Sequence, residues 1–157
     1  MSTKLDHIDT TILHELQIDG SLSQRDLADK LGLSQNACWR RVKRLRESGV
    51  LGQPSARVNA EALGLDLAVF MLVRSRHHDA AWAASFRNRV ESMPEVMELH
   101  RIGGEWDYLI KVLTTGMSGY DKVYQRLIQD LDIEKVTGLF SMEQILTDRP
   151  VVVPKGR

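Results

Sequence analysis

The chain has 157 residues, 43% hydrophobic and 27% charged, which suits one medium folded domain or two small ones and excludes a disordered chain. No run approaches the roughly 18 apolar residues that span a bilayer, the opening Met-Ser-Thr-Lys-Leu-Asp lacks a signal-peptide apolar core, and the single cysteine, Cys38, excludes an intrachain disulfide. Formal net charge is zero, so no global positive field surrounds the protein, yet Arg40, Arg41, Lys43, Arg44 and Arg46 fall within residues 35–46 without one acid. Such a stripe is either a phosphate-attracting surface or a solvated helix face, and its placement has to decide.

Three short helical patterns follow one another in the first sixty residues. In the first, Leu5, Ile8, Ile12, Leu13 and Leu16 recur at helical spacing, Asp6 and Asp9 sit near its start, and Gly20 closes it. In the second, Ser23 is the expected N-cap with Asp26 three residues on, Leu22 and Leu27 occupy the staple positions, and Gly32 stops the helix. The third starts almost at once from Ser34, with Leu33 and Cys38 as staple and Cys38, Val42 and Leu45 on one face, and ends at Gly49. A glycine-containing turn this short sets two helices steeply across each other, the geometry of a helix-turn-helix.

With Cys38, Val42 and Leu45 inward, the outward face of the third helix offers Gln35, Asn36, Trp39, Arg40, Lys43 and Arg44. In a helix-turn-helix the start of this helix enters the major groove of double-stranded DNA. Gln35 and Asn36 suit adenine and Arg40 suits guanine, although Ser-Gln-Asn is also an ordinary helix start. Lys43, Arg44 and Arg46 are placed for phosphates, and Ser34 counts with them as a DNA-binding candidate. Trp39 either packs on sugar or a thymine methyl, or is a half-buried anchor of this helix against the first. Arg41 is expected to tether an acid of the same domain.

Residues 50–53 and 56–58 read as two extended pieces broken by Pro54-Ser55, a wing or a hinge strand, and 59–64 as a brief helical linker. The remaining pattern is a strand over 67–73, a helix over 80–93 and a strand over 96–102. A turn at Gly103-Gly104-Glu105 follows, then a strand over 108–113, a helix over 118–131, a strand over 136–146, and a loose tail bracketed by Pro150 and Pro154. The expected organisation is therefore α+β: a winged helix-turn-helix over 1–60, a linker over 61–66, and a ferredoxin-like βαββαβ sandwich over 67–157. Its helices cover one sheet face only, so a homodimer packed sheet to sheet is the economical cover, and its two-fold axis suits a palindromic operator.

The chain resembles the leucine-responsive/asparagine-regulator (Lrp/AsnC) family. The matching stretches are Leu5-Asp6-His7-Ile8-Asp9 with Ile12-Leu13, the run from Ser23 to Ser34, Arg40-Arg41-Val42-Lys43-Arg44-Leu45 with Gly49-Val50-Leu51, Gly103-Gly104-Glu105-Trp106-Asp107-Tyr108, and Phe140-Ser141-Met142-Glu143. The resemblance implies a winged helix-turn-helix joined by a hinge strand to an effector-binding sandwich, in dimers that commonly associate into octameric rings. It also implies a small effector, usually an amino acid, held between dimers at the loop from Gly103 to Tyr108. There the glycine N–H groups suit a carboxylate and Asp107 suits an ammonium, or else Asp107 caps a tight hairpin. His100 and Arg101, just before the loop, and Thr137 and Ser141 on the last strand are further effector candidates. Cys38-Trp39 looks like a subgroup that handles cysteine and other sulfur amino acids and nominates cysteine for testing; a lone thiol between helices is otherwise a small hydrophobe.

The residues argue against an enzyme. His77-His78 has no partners at metal-ligand spacing, and neither a phosphate loop nor a nucleophile elbow occurs, so no metal or cofactor is expected. The expected function is a cytoplasmic, nucleoid-associated, sequence-specific transcriptional regulator that responds to a small effector. The alternative is a stand-alone amino-acid sensor or architectural DNA-binding protein without operator specificity.

Overall fold

Helix α1 (His7–Ile18) begins where Asp6 and Asp9 form a reciprocal capping box: Asp9 N–H donates to the Asp6 carboxylate at 2.8 Å, and Asp6 N–H to Asp9 at 3.1 Å. This is a computed structural model, and it describes residues 4–154. Ser23 caps α2 (Gln24–Lys30) and Ser34 caps α3 (Gln35–Glu47), as their sequence positions predict. Between them Gly32 takes φ +64°, Leu33 N–H reaches Ala28 O at 2.9 Å and Gly32 N–H reaches Asp29 O at 3.2 Å. This is a Schellman stop, which uses up the carbonyls that α2 would otherwise leave open and turns the chain straight into α3.

The three helices close on Ile12, Leu13, Leu27, Ala28, Cys38, Val42 and Leu45, all buried. Residues 50–58, expected as two extended pieces of a wing or hinge, carry no strand. Pro54 has no N–H to give a ladder, and among the described residues this unit has no other strand to pair with. The C-terminal tail also departs from expectation. From Leu146 onward it belongs to the same compact unit as the helices, the other unit being Val58–Ile145. Val153 packs against the helical core, and Gln17 holds Val151.

The second unit opens with a 3-10 turn (Glu61–Leu63), then runs β1 (Leu67–Ser75), α4 (Ala80–Glu91), β2 (Val96–Arg101), β3 (Tyr108–Thr114), α5 (Gly116–Ile128) and β4 (Ile133–Phe140). The antiparallel sheet has the order β2-β3-β1-β4, the ferredoxin-like arrangement that the element order predicts. Strand alternation sends Val69, Met71, Val73, Ile110 and Val112 to one face, where Phe86 and Val90 of α4 and Val123 and Leu127 of α5 bury them. The opposite face carries Phe70, Leu72, Leu109, Thr137 and Leu139, aligned by register and uncovered by any helix.

Two elements shift most from their expected bounds. β4 starts three residues before the expected 136 and stops at Phe140 instead of 146. Its partner β1 begins at Leu67, and Val69 already faces Phe140, so the ladder runs out after Ser141 N–H reaches Ala68 O at 2.9 Å. α5 starts at Gly116 because Asp66, fifty residues away in sequence, accepts the Gly116 N–H at 2.9 Å. That cap is invisible to local sequence reasoning.

Candidate nucleic-acid interface and effector cavity

Helix α3 is held by its buried face, Cys38, Val42 and Leu45, and by one ion cluster. Asp9 is 1% exposed, and its carboxylate receives Arg41 Nη1 at 2.9 Å and also Arg44; Arg41 reaches Asp6 as well, at 2.6 Å. The Asp9 N–H and then Arg41 hold the Asp6 carboxyl below the usual carboxylate range, and Asp6 in turn raises the Arg41 guanidinium. Arg41 therefore tethers an acid as expected. Arg44, expected on phosphates, is half committed to Asp9 although its side chain is 53% exposed.

This clamp fixes α3 and leaves Gln35, Asn36, Trp39, Arg40 and Lys43 on its exposed side. Trp39 is 46% exposed and lies under Lys43 Nζ, 5.1 Å from the ring centroid. Lys43 also faces Glu47 at 3.7 Å, a loose surface pair. The Ser34 hydroxyl is occupied in capping, accepting from Ala37 N–H at 3.3 Å. Arg46 turns to the flank and lines a cavity of about 520 Å³ together with Arg57 and Arg149, so this unit carries a second cluster of cations that sequence reading did not group. Cys38 is fully buried and burial pushes its thiol up, which suits a small hydrophobe rather than a reactive thiolate.

In the second unit, Gly103, Gly104 and Asp107 share the loop between β2 and β3, with Gly104 at φ +113°, and Tyr108 opens β3. Asp107 is the hub of that loop. Its N–H donates to Val73 O at 3.0 Å, its carbonyl accepts from Ile102 N–H at 2.9 Å, and its Oδ2 accepts from Ser75 N–H at 2.8 Å. The other oxygen, Oδ1, lies 3.9 Å from His78 Nδ1. The Asp107 carboxylate thus braces the end of β1, while its carbonyl closes the turn onto Ile102.

Asp107 and Tyr108 line a cavity of about 420 Å³ with Ser75, His78, Arg87 and Arg101. Tyr108 forms its floor, packed on Phe86 at 4.6 Å and tilted to Trp82 at 6.2 Å. His100 is not there. Leu99 points to the core, so His100 points to the open sheet face, 3.1 Å from Glu98, which also takes Lys111 at 2.9 Å; hydrogen bonds from Lys111 and then His100 hold the Glu98 carboxyl low. Thr137 and Ser141 lie on or just past β4, the far edge of the sheet, with β1 and β3 between them and β2. The loop nevertheless reaches β4 near Thr137, since Lys135 Nζ lies over the Trp106 ring, 5.2 Å from its centroid, and Asp107 N–H meets Val73, the register partner of Val136; Ser141 sits at the opposite end of β1, its N–H on Ala68 O. Sequence reasoning missed Arg87, which α4 delivers, and read His78 only as a non-metal histidine.

The AsnC-type helix-turn-helix domain matches residues 5–46, and the Lrp/AsnC ligand binding domain matches residues 68–151. The chain belongs to the Lrp/AsnC family. Among its relatives, the glutamate uptake regulatory protein of Zymomonas mobilis is 37% identical over 92% of this chain and 88% of its own length. The DNA-binding transcriptional activator DecR of Escherichia coli is 40% identical over 90% of this chain and 93% of its own. The solved complex of a Neisseria meningitidis transcriptional regulator with L-Met superposes with a TM-score of 0.88 at 28% identity, covering 94% of this chain and 96% of that one. As an Lrp/AsnC protein the chain is a transcriptional regulator with a DNA-binding helix-turn-helix and an amino-acid-responsive ligand-binding domain, and not an enzyme. Among the described residues no helix is long and apolar enough to cross a membrane.

Proposed function

We propose that this Lrp/AsnC regulator reads a palindromic operator through α3, as a cytoplasmic, nucleoid-associated homodimer that assembles further, up to an octamer. The observation that carries the reading is the division of labour on α3. Arg41 and part of Arg44 lock the helix onto buried Asp9, which leaves Arg40 and Lys43 free of buried partners on a rigid, capped element. Gln35, Asn36 and Arg40 read bases; Lys43, Arg46 and the exposed part of Arg44 meet phosphates. The apolar sheet face of Phe70, Leu72, Leu109 and Leu139 supports pairing of two chains.

The effector binds at the cavity of Asp107, whose free Oδ1 takes the ammonium of an amino acid. The L-Met complex of the Neisseria regulator supports an amino-acid ligand. Cysteine and other sulfur amino acids join the test panel on the strength of the Cys38-Trp39 resemblance; Cys38 itself belongs to the other unit and takes no part in the cavity.

Two measurements test these readings. Electrophoretic retardation of a palindromic upstream fragment, titrated across salt, should show tighter binding than random DNA of equal length; equal affinity at every salt concentration removes operator reading in favour of architectural binding. A thermal-shift screen of amino acids should find a ligand that raises the melting temperature, and Asp107→Ala should abolish that rise. An undiminished rise in Asp107→Ala removes the ammonium contact.

A further inference from the structure

The charges lining the Asp107 cavity are unequally satisfied. Asp79 caps α4, its Oδ1 accepting from Trp82 N–H at 2.9 Å, and Asp107 spends one oxygen on Ser75 N–H at 2.8 Å. His77 is turned to Asp132, 2.8 Å away, and Asp132 also takes Arg76 at 3.2 Å. Arg87 and Arg101 have no carboxylate within 4 Å among the described residues, although both line this cavity and the adjoining one of about 560 Å³ along α4 and β2. They come from different elements and meet for a structural reason. Arg101 pairs in register with Tyr108 and shares its helix-side face, and Arg87 follows Phe86, the residue on which Tyr108 packs.

An α-amino acid with a neutral side chain brings one carboxylate and one ammonium. Asp107 Oδ1 can meet the ammonium and one guanidinium the carboxylate, which leaves the second guanidinium to solvent, with no ligand group to meet. A second carboxylate on the ligand completes the set, and a cavity of about 420 Å³ admits a five-carbon amino acid. We infer that the effector is an acidic amino acid, an α-amino dicarboxylate whose two carboxylates pair with Arg87 and Arg101 while Asp107 receives its ammonium. This rests on the effector reading of the Asp107 cavity and adds to it the ligand class and two specificity residues.

Calorimetric titration of the full chain with L-glutamate, L-glutamine, L-cysteine, L-methionine and L-leucine tests it. Glutamate is expected to bind about tenfold or more tighter than glutamine, since one charge-assisted hydrogen-bonded pair separates them. Of Arg87→Gln and Arg101→Gln, the one at the arginine that meets the side-chain carboxylate should erase most of that preference, and the one at the arginine that meets the α-carboxylate should weaken glutamate and glutamine about equally. Both arginines are exposed, and circular-dichroism melting confirms that each variant is folded. If glutamine or a sulfur amino acid binds as tightly as glutamate, or if both variants keep the preference, the acidic-effector inference is overturned. In that event a ligand lost in Asp107→Ala leaves the effector reading standing; if no amino acid binds at all, both fall together.

Discussion

Gln17 grips Val151 by both of its backbone groups: Oε1 accepts the Val151 N–H at 2.6 Å, and Nε2 donates to the Val151 carbonyl at 3.2 Å. The tail thereby becomes an added segment of the helix-turn-helix unit and seats Val153 on its core. The chain consequently crosses between its two units twice, after Arg57 and after Ile145. A small apolar core gains from any extra cover.

Removing residues 146–157 should therefore lower the melting temperature of the helix-turn-helix unit, not merely trim a loose end. Gln17→Ala should cost about 1 kcal/mol, the usual net value of a modest hydrogen-bond set. Urea denaturation followed by helical circular dichroism reads both. An unchanged midpoint in Gln17→Ala means the tail only lies against the surface.

Asp9 is the buried end of the α1–α3 clamp, so Asp9→Ala leaves Arg41 with only the half-exposed Asp6, releases Arg44 and removes half of the capping box. We expect a loss of about 3 kcal/mol, at the low end for breaking a buried pair because Arg44 is half exposed. The pH dependence has a definite sign. The Asp6 carboxyl is held low in the folded state by the Asp9 N–H and by Arg41, so its contribution is present above the ordinary carboxylate value near about 3.9 and fades as pH falls through the lower folded value. Stability measured between pH 6 and pH 2 should drop more steeply below about pH 4 in the parent than in Asp6→Asn. Parallel curves remove Asp6 as a source of acid sensitivity.

Arg40 and Lys43 sit on the same face of α3 with different commitments. Lys43 is tied loosely to Trp39 and Glu47, whereas Arg40 has no ion pair among the described residues. Arg40→Ala should narrow the gap between operator and random DNA by about 1–3 kcal/mol. Lys43→Ala should weaken both DNAs about equally and flatten the salt slope by about one unit. Identical behaviour of the two variants dissolves the distinction between base and phosphate contacts.

What the sequence made legible was local. Ser23, Ser34 and Gly32 announce the helix-turn-helix because caps and left-handed stops act within a turn. The apolar run of β1 and the spacing in α4 and α5 announce the sandwich for the same reason. What stayed hidden depends on pairs distant in the chain: Asp66 capping α5, Gln17 holding the tail, β1 ending the β4 ladder, and Arg44 drawn to Asp9. The site divides in the same way. The Gly103 to Tyr108 loop is a contiguous motif, but Arg87 reaches it only because α4 lies over β2 and β3, and no sequence interval encodes that approach.

Gly138 shows how tightly that helical layer is laid. It lies in β4 beneath Tyr120 of α5, and a Cβ there would stand 2.5 Å from the Tyr120 hydroxyl oxygen and 3.1 Å from Cζ. Tyr120 has little room to yield, because its ring also meets Phe140 edge-on at 5.1 Å. Replacing glycine in a strand ordinarily helps by about 0.4–1 kcal/mol through the unfolded chain. Overpacking ordinarily costs about 1–3 kcal/mol, so the clash should win and Gly138→Ala should destabilise. The test is a double-mutant cycle with Tyr120→Phe, which deletes the nearest atom and leaves the ring. If the hydroxyl is the obstacle, Gly138→Ala costs less in the Tyr120→Phe background, with a coupling of about 0.5 kcal/mol or more. A coupling of zero places the strain at Cζ and means that α5 itself must lift from the sheet to admit a methyl group.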